Sequence, residues 1–249
     1  MRISIFQLLA VVVSLVCTGH VAAEYREIAV NNGAIINGVV RVVGELPVLP
    51  AQPVFKQMEF CGKEIADERL VIGPNGEMAN AIVYLADIKV GKPLRLDRLV
   101  LLDNRKCGFV PHVLTATLGQ TLEIHNDDPF LHDAHALVGS RTLFNVAILK
   151  GRTVYQPLLD AGLIYINCNV RHTWMHAYLY VAEHPYHTVT DAQGRFSMEN
   201  VPPGVWTLRV WHELLGSVDQ AVRIAPGETS NQQIRLQASP AEEKESAGR

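Results

Sequence analysis

The chain has 249 residues, 48% of them hydrophobic and 19% charged, with a formal net charge of -3. This composition is too apolar for a disordered chain, and the lack of excess positive charge argues against a nucleic-acid binder, which carries a basic face. Four cysteines are too few for a disulfide-dense scaffold, but beside ten histidines they make a metal worth looking for.

Residues 1–23 read as a secretory signal peptide. Arg2 precedes an apolar run from Ile3 to Cys17, and Val21-Ala22-Ala23 supplies small residues for cleavage after Ala23. The run contains Ser4, Gln7 and Ser14 and is shorter than the roughly 20 residues a bilayer requires. No later segment reads as transmembrane. The expected location is therefore periplasmic or secreted. Cleavage removes Cys17 and leaves Cys61, Cys107 and Cys168, an odd set in a compartment that permits disulfides, so at least one thiol has another role.

The mature chain reads as all-β. Residues 24–68 form an N-terminal β segment, in which Gly33 to Val43 is β-branched and bounded by glycine, and Pro47 to Pro53 reads as an extended crossing. Within 69–183 the expected strands are Ala81–Ala86, Leu99–Leu102, Val113–Leu118, Thr121–His125, Leu163–Cys168 and Ala177–Val181. Phe144–Leu159 has the weakest pattern and could carry a helical turn. A boundary is expected at Glu183-His184-Pro185-Tyr186. Beyond it, 184–237 forms a small second β module with turns at Asp191-Ala192-Gln193-Gly194 and Pro202-Pro203-Gly204. Some 50 residues are few for an independent core, so the strand from Gly33 could cross over to complete that module. Residues 238–249 are small and charged and read as a disordered tail.

Two clusters carry the candidate chemistry. Asn126-Asp127-Asp128-Pro129-Phe130-Leu131-His132-Asp133-Ala134-His135 succeeds a strand and reads as a loop. Cys168-Asn169-Val170-Arg171-His172-Thr173-Trp174-Met175-His176 lies between two strands. Alternation puts Ile164, Ile166 and Cys168 on one face, so the thiol should point into the core at its strand's end. One thiolate, one or two imidazoles and a weak thioether are the ligands of a mononuclear copper electron-transfer site.

The stretch from about Leu99 to Val181 resembles the cupredoxins, the plastocyanin and amicyanin family. The match is carried by Phe109-Val110-Pro111 before a strand, Gly119 before another, Asn126-Asp127-Asp128 leading to His132, and Cys168 with His172 and Met175. The resemblance implies a Greek-key sandwich holding one type 1-like copper ion on His132, Cys168, His172 and Met175, with His135 and His176 as alternate ligands. The late loop reads Cys-x-x-x-His where amicyanin has Cys-x-x-His. Arg171 stands at the third position, so a one-residue bulge is needed. Downstream, Thr190 to Phe196 and Val201 to Leu208 resemble carboxypeptidase regulatory-like modules, and the fusion is similar to bacterial proteins labelled methylamine utilization proteins. Cys61 and Cys107 would then pair, leaving Cys168 for metal; the alternative, a bridge involving Cys168, abolishes the site.

No Gly-x-Ser-x-Gly elbow, His-Glu-x-x-His pair or phosphate loop is present, and an enzyme is not expected. The function implied is one-electron transfer with a redox partner protein in the cell envelope. The alternatives are a metal-free interaction module on the same frame and a copper chaperone. His112, His125, His184, His187 and His212 have no partner spacing and read as structural or surface residues, while His184-Pro185-Tyr186 and Trp211-His212-Glu213 are placed along a seam between modules.

Overall fold

The computed structural model describes residues 24–170 and 172–238. The expected leader, Arg171 and residues 239–249 lie outside the described residues. Ala238, expected to belong to the tail, is described: it is buried, and its N–H donates to the Val43 carbonyl at 2.9 Å.

The chain is all-β, with two sandwiches. In the first, a four-stranded sheet runs in the order Thr153–Pro157, Thr121–Asn126, Leu99–Arg105, Gly108–Val110. It faces a five-stranded sheet ordered Arg141–Ile148, His132–Val138, Gly162–Asn167, His176–Ala182, Val113–Thr117. Leu99–Arg105 lies parallel to Thr121–Asn126, and Val113–Thr117 parallel to His176–Ala182, so the chain crosses between sheets in Greek-key fashion. The inner faces are period-two apolar rows: Leu122 and Ile124 from one sheet meet Ile164 and Ile166 from the other, all fully buried.

The second sandwich stacks a sheet ordered His187–Val189, Ile82–Leu85, Gly204–His212, Gly216–Ile224 on one ordered Arg195–Val201, Ala34–Val43, Thr229–Gln237. Its core holds Ile36, Val40, Val83, Leu85, Tyr186 and Leu208. Two of its strands come from far upstream. Ala34–Val43 lies between the last strand and Arg195–Val201, and Ile82–Leu85, expected in the 69–183 unit, pairs with His187–Val189 and Gly204–His212. A module of 184–237 alone would leave one sheet without its central strand. Gly38 sits mid-strand because a Cβ there would meet the Phe196 ring at 2.4 Å. Gly194 turns the chain at φ 68°, with Asp191 accepting the N–H groups of Gln193 and Arg195.

Three local expectations differ from what is found. Phe144–Leu159 contains no helical turn; it lies in Arg141–Ile148 and Thr153–Pro157, joined by a turn at Gly151. The segment leading to His135 is only partly a loop, because the strand begins at His132. The one helix among the described residues is the turn Met58–Cys61, which no pattern in the sequence foretold. No helix of the described residues is long and apolar enough to cross a membrane.

The seam between sandwiches buries His184 and half-buries His187. Burial holds His184 down at about 4 and His187 at about 3, the latter also repelled by His184. The unfolded chain binds these protons below about pH 6.5 and the folded chain does not, so their contribution is complete above pH 6.5 and is lost as pH falls toward 4. Each should destabilise the fold by about 2 kcal/mol near pH 5. Denaturant unfolding near pH 7.5 and near pH 5 checks this, and equal midpoints would refute it.

Candidate metal centre

The site lies at one end of the five-stranded sheet. His132–Val138 and Gly162–Asn167 are antiparallel neighbours in which His135 pairs with Asn167 and Ala136 with Ile166. Continuing that register sets Cys168 opposite Ala134, and His132, two residues before Ala134, shares its face. Both side chains therefore point inward at the same end. The connection from Cys168 folds back on itself: the Cys168 N–H donates to the Met175 carbonyl at 3.3 Å, and the Met175 N–H to the His172 carbonyl at 2.8 Å. This closure carries His172 over the sheet's end.

Three ligand atoms converge. Cys168 Sγ lies 3.8 Å from His132 Nδ1 and 3.6 Å from His172 Nδ1, and the two Nδ1 atoms are 3.0 Å apart. A point equidistant from all three lies about 2 Å from each, the length of a metal–imidazole bond. All three residues are buried, as is Met175 in the same core cluster. His135 and His176 do not join this group. His135, on the other face of its strand, bonds Thr142 Oγ1 and Asn169, and His176 turns toward Glu213.

Hydrogen bonds determine which nitrogen faces the centre. His132 Nε2–H donates to Asp128 Oδ2 at 2.9 Å, and His172 Nε2–H donates to Gln57 Oε1 at 2.8 Å. In the neutral rings both Nδ1 atoms then present lone pairs, in contact and beside a sulfur. Lone pairs so placed repel unless a cation lies between them, so this donor set fits a bound soft or borderline metal ion. The protein's own charges add little relief. Burial pushes the Cys168 thiol up to about 11, and burial with the neighbouring His132 holds His172 at about 4.

Asp128 is itself built in. Burial raises its carboxyl, but the His132 ring and the N–H groups of Cys107 and Lys106 outweigh that and hold it below its usual value. Asn126 braces the loop, accepting the Asp128 N–H and donating to the carbonyls of Phe130 and Ile148. Cys107 is disulfide-bonded to Cys61 across 46 residues, at a Cα separation of 5.7 Å. The bridge holds the turn Met58–Cys61 against the site, where Gln57 meets His172 and Phe60 packs edge-on against Phe130. Phe130 in turn lies against both His132 and His172.

Sequence reasoning did not find this cover. Gln57 stands 115 residues from His172, and nothing local marks it as a site residue. It also missed a second gathering, of His112, His176 and Glu213, for the same reason: His112 and Glu213 are 101 residues apart.

Residues 176–237 match the family model of the carboxypeptidase regulatory-like domain. The first seven matched residues form the strand His176–Ala182 of the first sandwich. No curated protein matches the chain. Solved structures similar to part of it include a Cu-containing nitrite reductase from Thermus scotoductus, 22% identical, with a TM-score of 0.32, over 35% of this chain and 23% of that one. A purple cupredoxin from Nitrosopumilus maritimus is 21% identical with a TM-score of 0.30, over 34% of this chain and 100% of that one. An oxidised amicyanin variant is 20% identical with a TM-score of 0.31, over 34% and 83% of the respective chains. The chain thus spans under a quarter of the nitrite reductase's length.

Proposed function

We propose that the chain is an exported, cupredoxin-like protein that binds one copper ion at His132, Cys168 and His172, with Met175 as a weak further ligand, and that it transfers single electrons to or from a partner protein in the cell envelope. The observation that carries this reading is the convergence of two imidazole lone pairs and one thiol within 3.0 to 3.8 Å of one another. A bound copper ion would supply the one-electron couple. The chain supplies the rest. Two packed sheets hold His132 and Cys168, so their positions need not shift with oxidation state, and the buried surroundings disfavour the more charged form and raise the reduction potential. Asp128 and Gln57 orient the two rings through their Nε2–H groups. A non-enzymatic role is part of this reading; His132 and His172 are each no more than 1% exposed.

Adding Cu(II) to the purified chain should produce an intense thiolate-to-copper absorption and a reversible one-electron wave. Copper uptake without that absorption would place the ion elsewhere. Tight Cu(I) retention without a reversible wave would favour a chaperone, and no uptake a metal-free module.

The orienting carboxylate offers a separate check. Asp128→Asn should weaken copper binding by about 10–100-fold, as losses of second-layer partners commonly do. A chelator competition measures it, and unchanged affinity would remove Asp128 from the site.

A further inference from the structure

We infer a second metal site at His112, His176 and Glu213, which takes a divalent ion of the zinc class and ties the two sandwiches together. The three side chains offer ligand atoms within 4.8 Å of one another. They are 4%, 14% and 4% exposed, respectively. His112 immediately precedes the strand Val113–Thr117, and His176 opens its parallel neighbour His176–Ala182, so the first sandwich presents both rings side by side. Glu213 comes from the other sandwich, at the turn between Gly204–His212 and Gly216–Ile224.

The ring orientations point to an ion. His112 Nδ1 lies 3.1 Å from the His176 carbonyl, and His176 Nδ1 lies 3.3 Å from the Trp174 carbonyl. A carbonyl can only accept, so each Nδ1 carries a hydrogen, and in the neutral ring each Nε2 is left with a lone pair. Both Nε2 atoms face the Glu213 carboxylate, His112 in direct contact with one oxygen and His176 at 3.4 Å from the other. Two lone pairs and a carboxylate aimed at one small volume require positive charge there. Two ring protons would over-neutralise a single carboxylate, and one proton on His112 would pair with one Glu213 oxygen but leave the His176 lone pair against the other, whereas one divalent ion satisfies all three groups after a small rotation of the Glu213 carboxyl. Imidazoles that donate their other N–H to backbone carbonyls are the usual state of metal-bound histidines.

The donor set also separates this site from the one at Cys168. Two histidines and a carboxylate without sulfur suit zinc, with a fourth position left for water. That position opens on a cavity of about 320 Å³ lined by Gln52, Arg69, Tyr165, Tyr178 and Glu213, where the Arg69 guanidinium is paired with the Asp67 carboxylate. Copper at Cys168 uses none of these side chains, so the two sites can be tested independently.

Zinc alone is the probe. The metal-free chain, loaded with Zn²⁺ and freed of excess, should hold one equivalent more than Glu213→Gln and should melt at a higher temperature with zinc than without. Glu213→Gln should lose that equivalent and, in a Cys168→Ser background where the first site cannot take zinc, the melting shift as well, and in the otherwise unchanged chain it should keep the thiolate-to-copper absorption. His176→Gln, at the most exposed of the three positions, should lose zinc in the same way. It decides the matter if circular dichroism shows Glu213→Gln to be misfolded. Zinc content and melting shift unchanged in the folded variants would overturn the second site. Loss of the copper absorption in Cys168→Ser, with the zinc equivalent retained, would leave it standing whatever the outcome at Cys168.

Discussion

Cys168→Ser should abolish the thiolate-to-copper absorption and cut Cu(II) affinity by several orders of magnitude, while the apoprotein still folds. Burial holds the thiol up at about 11, so the free protein carries it protonated. An ion binding there must displace that proton, because the thiolate is the ligand. Copper affinity should therefore rise about tenfold per pH unit between roughly pH 7 and pH 9, and titrations in buffers of different ionisation enthalpy should register the release. The serine hydroxyl is a poor ligand for copper in either oxidation state. Replacing sulfur by a buried hydroxyl costs about 1–3 kcal/mol if it finds no partner, less than a whole domain's stability. Retained colour in Cys168→Ser, or an affinity independent of pH, would rule out this ligand set.

The second large effect concerns the cover over His172. Replacing Cys61 and Cys107 together by serine should lower stability by about 4 kcal/mol, because the bridge closes a loop of 46 residues in the unfolded chain. The same change releases the turn Met58–Cys61 from the site. Gln57 then no longer holds His172 by its Nε2–H, and Phe60 no longer backs Phe130. Copper should still give the absorption, since none of the converging atoms is altered, but its transfer to a strong chelator should quicken at least tenfold. Unchanged release with lowered stability would show that the bridge supports the fold and not the site. Phe55, just before this turn, and Met58 and Phe60 within it are exposed apolar residues.

Much of this was legible in the residues themselves. Period-two alternation and Gly, Pro and Asp at the turns marked most strands, because strand burial and turn geometry are written within a few residues. The spacing of Cys168, His172 and Met175 sets a thiol at a strand's end and places the other two in the loop that closes over it. His132 was legible as a candidate, but as a loop residue. Its place at the start of a strand, which points His135 the other way, depends on pairing with Gly162–Asn167. The unit boundaries were less legible. Ile82–Leu85 has the pattern of any buried strand, and nothing in four apolar residues says which sheet will take it.

The sequence by itself determined the all-β class, the place of most strands and the inward-facing thiol. Only the tertiary structure decided which strands share a sheet, that Gln57 covers His172, and that His112 and His176 meet Glu213 from the other sandwich. The physical reason is range. Side-chain alternation and turn chemistry act between near neighbours, whereas contacts 101 and 115 residues apart exist only after two sandwiches have closed and brought their edges together.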